Sequence, residues 1–270
     1  MSARRPREEI VKIISGLAAI SLVAASSVFR PILAEAAEIK LLCAVAMKPA
    51  VDELSPAFER SATHKPIVTY GTAGALRDKI RTGEAFDAAL LPTPFMDPLV
   101  TQGAVVSSSV TVVVRSLISA GVRAGSPKPD ISTVAAFKNV MLGAKSISYA
   151  DPSQGGDSGI QVARVFEALG ISEIMKPKTK LVPGAESVDL VAAGEAEFAL
   201  ANTPVFVAKP GVELVGPIPT ELYDTKDFVF KIGIGANAKE SGAAKVLIEY
   251  LLSPEVSRVW KAKGVEPVPR

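Results

Sequence analysis

Residues 146–169, SISYADPSQGGDSGIQVARVFEAL, contain the pattern that decides the fold: a short apolar strand, a polar loop with two glycines and an amphipathic helix. Ile147 and Tyr149 are the apolar residues of the predicted strand. The helix carries apolar residues at helical spacing, and Gly170 is placed to end it; they are Val162, Val165, Phe166 and Leu169. A strand followed at once by a helix is the building unit of α/β folds.

The loop of this unit is a candidate ligand site. Ser158 and Gln161 match the spacing of a capping box, which predicts a helix over residues 159–169 with Ser158 at its start. The first N–H groups of a helix have no partner within it and carry a partial positive charge, so they suit an anion or a polar ligand head. The alternative is an ordinary strand-to-helix turn that binds nothing.

The same alternation of apolar strands and helical segments runs from residue 38 to the end of the chain. Strands are predicted over residues 39–46, 66–70, 88–91, 110–115, 146–149, 179–182, 198–201, 212–219 and 228–235. Helices are predicted over residues 47–63, 95–102, 134–141, 159–169, 188–193, 240–252 and 254–263, with a further helix ending near Thr82. Pro56 is expected to kink or divide the first of these helices. This order predicts an α/β fold with two lobes, each a mainly parallel sheet flanked by helices.

The N-terminal residues 1–36 have the features of an export signal. Four basic residues precede the uncharged residues 13–29, and Ala34 and Ala36 are small residues at the positions that a signal peptidase reads. We expect cleavage near Ala36 and a periplasmic protein. A membrane anchor is the alternative, but 17 uncharged residues rich in alanine and serine are short for a membrane span.

The remaining chain is predicted to pass twice between the lobes. Residues 37–117 form the first part of lobe 1, residues 118–228 form lobe 2, and residues 229–270 return to lobe 1. Residues 119–130 are rich in glycine, serine and proline, which is typical of a connection between lobes.

Charge and composition exclude several classes of partner. Without residues 1–36 the chain has 25 basic and 25 acidic residues, few aromatic residues and no run of lysine or arginine. We therefore expect no nucleic-acid partner and no basic membrane-binding helix.

Few residues are available for catalysis or for metal binding. Cys43 is the only cysteine and lies in an apolar strand, so we expect a buried packing residue; a lipid-anchored cysteine is disfavoured by the large Leu42 before it. His64 is the only histidine and is expected at the surface. The sequence contains neither a G-x-S-x-G elbow nor a GxxxxGK[ST] phosphate loop. We predict a binding protein with no catalytic residues, no metal and no cofactor.

The order of motifs resembles the extracellular solute-binding proteins of ABC importers, and within them the molybdate/tungstate-binding group. The segments that carry the resemblance are LLCAVAMKPAVDEL, HKPIVTYGTAGALRDKIRTGEAFDAALLP, DPSQGGDSGIQVARVFEALG, ESVDLVAAGEAEFALANTPVF and LIEYLLSPEVSRVWKAKGVEP. The resemblance implies a type II periplasmic binding fold, in which two lobes joined by a hinge close over the ligand. Loop amides and hydroxyls then hold a tetrahedral oxyanion.

The resemblance also implies the ligand-binding positions. They are Ala46, Met47 and Lys48 in the first loop, Thr72, Ala73 and Gly74 in the second, then Ser158, Val188 and Asn202. Two hydroxyls of the family pattern are missing or displaced, because Ala46 and the segment from Thr72 to Gly74 replace serines. Backbone N–H groups do not depend on the side chain, so those of Met47, Ala73, Ser158 and Val188 remain available in principle.

Two charged residues beside these positions affect the predicted ligand. Asp157 would repel a bound dianion unless it points away. Lys48 would compensate if it faced the cleft. The plainer interpretations are a turn or cap residue for Asp157 and a solvated lysine at a helix end for Lys48.

These features together predict a receptor for a small anionic solute, either a molybdate-like oxyanion or a small organic acid. The receptor is expected to be a monomer that delivers the solute to an ABC permease at the inner membrane. The alternative is a periplasmic sensor that uses the same clamp for signalling without transport. A secreted enzyme on the same fold is a third hypothesis.

Overall fold

The computed structural model describes residues 36–268. Its strands are β1 (Glu38–Ala44), β2 (Lys65–Gly71), β3 (Ala88–Pro92), β4 (Thr111–Arg115), β5 (Ile118–Arg123), β6 (Ile147–Ala150), β7 (Thr179–Val182), β8 (Phe198–Asn202), β9 (Val212–Pro217), β10 (Val229–Ile234) and β11 (Glu266–Pro267). Its α-helices are α1 (Lys48–Ala62), α2 (Ala73–Arg81), α3 (Thr93–Thr101), α4 (Val134–Gly143), α5 (Asp157–Ala168), α6 (Ser172–Met175), α7 (Ser187–Ala192), α8 (Thr203–Val207), α9 (Ser241–Leu251) and α10 (Ser257–Ala262).

The strands form two separate sheets. The first sheet has the order β11-β4-β10-β3-β1-β2, and the second has the order β7-β6-β8-β5-β9. Helices flank both sheets, which confirms the predicted α/β class with two sheets.

The direction of the strands is mixed. Strand β1 is parallel to β2 and β3, and β6 is parallel to β7 and β8. In contrast, β10 is antiparallel to both of its long neighbours, as is β5. The expectation of mainly parallel sheets therefore holds only for the part of each sheet built from successive strand–helix units. Strands β5 and β10 each arrive from the other sheet, so they run opposite to the strands around them.

Each sheet has its own apolar core. Strand β3 is buried along its whole length, as expected for a strand covered by helices on both faces. The side chains of Phe58 in α1 and Tyr250 in α9 contact each other beside the first sheet, with ring centroids 5.2 Å apart. The second sheet packs against Phe137 of α4 and Phe166 of α5. Cys43 belongs to the first core, which confirms its predicted packing role, and burial raises the pKa of its thiol.

The connection between the sheets is shorter than predicted. Residues 119–130 were expected to be a loop, but β5 occupies the first part of this segment. The physical reason lies at Gly121, where a Cβ atom would come within 2.4 Å of the Phe206 ring. Gly121 therefore permits close packing of a buried strand. The glycine-rich composition of this segment was interpreted as a flexible connection because the contact with Phe206 is not visible in the sequence.

Tyr223 fixes the start of β5. Its hydroxyl oxygen accepts a hydrogen bond from the backbone N–H of Ile118 at 3.2 Å, directly after the chain has left the first sheet. The strands up to Arg115 belong to the first sheet, those from Ile118 to Pro217 to the second, and those from Val229 to the first again. The domain limits given above remain predictions.

The structure corrects two predictions about helices: the division of α1 and the start of α5. Helix α1 is a single helix that includes Pro56, so the proline does not divide it. Helix α5 begins at Asp157 with Gly156 as its N-cap, and no side chain caps it. Ser158 therefore lies inside the first turn, and the predicted capping box does not form.

In the part of the chain that the structure describes, no helix has both the length and the apolar character needed to cross a bilayer. The predicted export signal covers residues 1–36, and residues 1–35 lie outside the described residues.

Candidate functional site

A narrow cleft lies where β1, β6 and β8 end and where residues of both sheets meet. From the first sheet it is lined by Val45, Ala46 and Thr72. From the second it is lined by Ala150, Gly156, Asp157, Ser158, Gly184, Ala185, Ala201, Asn202 and Val205. Its volume is about 10 Å³, which is close to the space that one water molecule requires. A larger solute can enter only if the two sides separate.

The lining is built from residues at the carboxyl ends of strands and the starts of helices. Ala46 lies in a short 3-10 turn, Val45–Met47, between β1 and α1. Thr72 is the N-cap of α2, and its hydroxyl oxygen accepts the backbone N–H of Ala75. Asn202 ends β8 and precedes α8. Ligands in open α/β sheets bind at such strand ends, so the cleft is the candidate site.

Asp157 is the only charged residue in the described lining of this cleft. It is the first residue of α5, and its Oδ2 accepts a hydrogen bond from Nδ2 of Asn202 at 3.0 Å. Desolvation raises the pKa of the Asp157 carboxyl group, while the hydrogen bonds from Asn202 and from the backbone N–H groups of Ser158 and Asp157 act to lower it. Burial is the largest of these effects.

Asn202 has an unused acceptor in the same place. Its side chain is 2% exposed, and its Oδ1 atom has no hydrogen-bond partner among residues 36–268. An ionised carboxylate can only accept hydrogen bonds, so the amide must turn its Nδ2 towards Asp157 and leave Oδ1 facing elsewhere. A buried acceptor without a partner costs about 1–3 kcal/mol.

The two sides of the cleft touch through hydrogen bonds close to its lining. Thr72 Oγ1 donates to the carbonyl oxygen of Gln154 at 2.7 Å, and the backbone N–H of Gly74 donates to the carbonyl oxygen of Gly155 at 3.0 Å. The backbones approach so closely that a Cβ atom on Gly74 would lie 2.6 Å from the Cα atom of Gly155. The structure therefore has the two sheets in a closed arrangement.

The structure brings four of the nine predicted ligand positions into the lining: Ala46, Thr72, Ser158 and Asn202. The other five lie outside it. Met47 and Ala73 are buried in the first core, Val188 is buried in a small cluster behind β8, and the N–H of Gly74 is used by Gly155. A role in ligand binding remains a prediction for all nine.

Lys48 does not compensate for Asp157. Its ammonium group pairs with Asp52 at 2.7 Å on the exposed face of α1 and lies 4.5 Å from the centroid of the Tyr70 ring. The plainer interpretation of this residue, a solvated lysine at a helix start, agrees with these contacts. Asp157 lies in the first turn of α5 and also lines the cleft, and its contact with a ligand remains a prediction.

Sequence reasoning placed Gly156 in the candidate loop but missed the other small residues that shape the cleft. Gly156, Gly184, Ala185 and Ala201 give it narrow walls, and each lies beside a strand end or a helix start. A search for small residues directly after predicted strands would have found Gly184 and Ala185. Among the described residues there is no group of three histidine, cysteine, aspartate or glutamate side chains that could hold a metal ion.

The chain is similar in sequence to known proteins over most of its length. The family model described as bacterial extracellular solute-binding protein matches residues 39–266. A protein named aconitate isomerase from Pseudomonas sp is 28% identical over 225 residues, covering 81% of this chain and 84% of that protein. The molybdate-binding protein ModA of Azotobacter vinelandii is 29% identical over 244 residues, covering 86% of this chain and 90% of that protein.

The fold has a counterpart among solved structures. The structure of the Azotobacter vinelandii periplasmic molybdate-binding protein matches with a TM-score of 0.72 at 16% identity, covering 86% of this chain and all of that one. This match and the family model confirm the predicted periplasmic-binding-protein fold and the resemblance on which it was based.

Proposed function

Because the chain belongs to the bacterial extracellular solute-binding protein family, we propose that it captures a small anionic solute in the cleft between its two sheets. The solute is a molybdate-like oxyanion or a small organic acid, and the protein delivers it to an ABC permease at the inner membrane. The observation that carries the proposal is the cleft itself, which is lined from both sheets and joined across by hydrogen bonds.

The electrostatics of the cleft suit a ligand with a low negative charge. The N-termini of α2 and α5 meet there, and each helix contributes roughly half a positive elementary charge at that end. The carboxylate of Asp157 offsets this potential when it is ionised. No lysine or arginine belongs to the described lining, so a highly charged anion would lack a counter-charge.

Closure explains how binding is coupled to delivery. A solute that contacts both sides of the cleft stabilises the closed arrangement over an open one, which is a shift in population towards the form that a permease can recognise. The cross-cleft contacts of Thr72 and Gly74 belong to this closed form.

The compartment follows from the same proposal. Residues 1–36 act as the export signal, with cleavage near Ala36, and the mature protein works in the periplasm as a monomer. N-terminal sequencing of the exported protein tests the cleavage, and its sedimentation rate tests the monomer.

Titration calorimetry of the purified exported protein tests the binding function directly. Molybdate, tungstate, sulfate, phosphate and small organic acids are added separately, and at least one is expected to bind with one site per chain. Calorimetry is preferable to intrinsic fluorescence, because Trp260 is buried in the first core with its Nε1 bonded to Leu251. The absence of binding by every solute in the panel would refute the proposal.

The signalling alternative differs only in the partner of the closed form. A permease and an ATPase encoded beside this protein support delivery to a transporter, whereas a neighbouring histidine kinase supports a sensor. Stimulation of the reconstituted permease by the liganded protein is the decisive biochemical readout.

An isomerase activity is a second candidate, favoured by Asp157 and by the relative named aconitate isomerase. A desolvated carboxylate with a raised pKa inside a cleft is suited to accept a proton from carbon and return it, as a shift of a double bond requires. The lack of cations in the described lining speaks against a tricarboxylate substrate. Proton NMR of cis- or trans-aconitate incubated with the protein separates the two functions, since turnover that is lost in Asp157→Asn would establish the isomerase.

A further inference from the structure

We infer that Asp157 and Asn202 make the cleft selective for an anion that carries its own hydrogen-bond donor, and that they reject anions whose oxygens are all acceptors. Hydrogen phosphate and 2-hydroxy acids belong to the first class, and molybdate and sulfate at neutral pH belong to the second. The inference rests on the proposed function and names the ligand class of the same site.

The first observation is that two residues lining the cleft keep unused capacity to accept hydrogen bonds. Asp157 contributes a carboxylate that accepts a hydrogen bond from Asn202 beside those from the backbone N–H groups of Ser158 and Asp157, and Asn202 contributes an Oδ1 atom with no partner among the described residues. A carboxylate accepts about four hydrogen bonds, so it retains capacity for a donor on a ligand. The 3.0 Å distance joins Nδ2 of Asn202 to Oδ2 of Asp157, so this amide group is already used as a donor and the Asn202 Oδ1 atom still needs one.

The second observation is that the described lining around the pair contains no lysine or arginine. The lining residues beside it are uncharged: Ser158 in α5, Ala150 at the end of β6, Ala201 in β8, the turn at Gly184 and Ala185, and Ala46 and Thr72 from the first sheet. Lys48, the only cation predicted for the site, pairs with Asp52 outside the cleft. Thr72 uses its hydroxyl hydrogen on Gln154, so the side-chain hydroxyl left in the described lining is that of Ser158.

The acceptors of Asp157 and Asn202 would distinguish anions that carry an O–H group from anions that do not. An oxyanion without a proton would bring an oxygen lone pair against the acceptors of Asp157 and Asn202, and would leave both without partners. An anion with an O–H group donates to one of them and keeps its negative oxygens for the helix N-termini and backbone N–H groups. A site that demands a hydrogen bond can reject the analogue that lacks it by several powers of ten.

Asp157 also makes the selectivity depend on pH. Protonation of its carboxyl group converts one acceptor into a donor, so the cleft then admits an oxyanion without a proton. The raised pKa of Asp157 moves this conversion upward from the usual aspartate range. Sulfate keeps its charge as the pH falls, so its affinity is expected to rise as Asp157 gains a proton.

Calorimetric titration of the purified exported protein at neutral pH tests the inference with two matched pairs, phosphate against sulfate and lactate against propionate, and with molybdate as a fifth anion. We expect the donor-bearing member of at least one pair to bind about 100-fold more tightly than its partner and than molybdate. If sulfate or molybdate binds as tightly as phosphate and lactate, the proposed function stands and the inference is overturned. If none of the five anions binds, the oxyanion function fails, and the inference fails with it.

A variant with a matched control extends the test to the residues. Asp157→Asn replaces an acceptor oxygen with a donor, and the ratio of sulfate to phosphate dissociation constants is expected to fall at least tenfold. Glu186→Gln removes the same charge from an exposed position beside the cleft and should leave the ratio unchanged. Equal ratios in Asp157→Asn and the wild type would overturn the assignment. If the variant does not fold, the affinity ratios of the wild-type protein and their change with pH still test the inference.

Discussion

Substitution of Gly74 by alanine should prevent the cleft from closing. The new Cβ atom would lie 2.6 Å from the Cα atom of Gly155, whereas carbon atoms in contact are about 3.5–4.0 Å apart. The two sides must therefore separate by about 1 Å, which lengthens the Gly74–Gly155 hydrogen bond from 3.0 Å to beyond bonding distance.

The bond from Thr72 to Gln154 lies beside this contact and is expected to break with it. Two hydrogen bonds at about 0.5–1.5 kcal/mol each give a loss of about 1–3 kcal/mol from the closed form. A ligand that binds the closed form should then bind about 5- to 150-fold more weakly.

Titration calorimetry with the tightest anion of the panel measures this loss, and small-angle scattering measures whether the liganded protein becomes more extended. Gly242→Ala is the matched control, because Gly242 is the second residue of α9 as Gly74 is of α2, and a Cβ atom there meets nothing within 4 Å. Gly155→Ala is a less suitable variant, since the positive φ of 71° at Gly155 adds backbone strain to the steric effect. An affinity of Gly74→Ala within twofold of the control would show that the close approach is not part of ligand capture.

Three further predictions concern single side chains. Asp157→Asn should raise the free energy of unfolding at pH 7 by about 1 kcal/mol, because burial disfavours the ionised carboxylate. Because the pKa of Asp157 is raised in the folded state, the wild type loses about 1 kcal/mol as the pH rises from the unfolded-state pKa through the folded-state pKa. Below about pH 4 the carboxyl group is protonated in both states, so the higher melting temperature of the variant should disappear there. An advantage that persists at pH 3 would contradict this reasoning. Lys48→Met should leave anion affinity within twofold in the same titrations, since the Lys48 ammonium pairs with Asp52; a tenfold loss would place the ammonium in the cleft. Tyr223→Phe should lower the free energy of unfolding in denaturant by about 1–3 kcal/mol, because the buried N–H of Ile118 loses its acceptor. An unchanged denaturation midpoint would show that the N–H finds another partner.

Local pattern predicted most of the strands and helices, because each sheet is built from units in which an apolar strand leads into an amphipathic helix. The unit β6, loop and α5 illustrates this agreement, with the strand observed at Ile147–Ala150 and the helix at Asp157–Ala168. The direction of β5 and β10 could not be predicted in the same way, since it depends on where the chain crosses between sheets. Gly121 shows a related limit, because its close contact with Phe206 is invisible in the sequence.

The candidate site was predicted less well than the fold, and for a physical reason. The resemblance located four lining residues, but the character of the cleft depends on how much water reaches Asp157. That depends on three elements distant in sequence: the 3-10 turn after β1, the end of β8 and the turn at Gly184. A sequence pattern places Asp157 at a helix start and gives no information about its solvation.

The contact between Gly74 and Gly155 joins backbone to backbone, and neither residue has a side chain. In the proposed receptor this meeting point is held by main-chain atoms, whereas side chains such as those of Ser158 and Asn202 line the cleft. Mutations can alter the side chains at positions such as Ser158 and Asn202 without disturbing the meeting point of the two sides. If the chain is the proposed receptor, its solute can change during evolution through the lining side chains while this backbone contact stays intact.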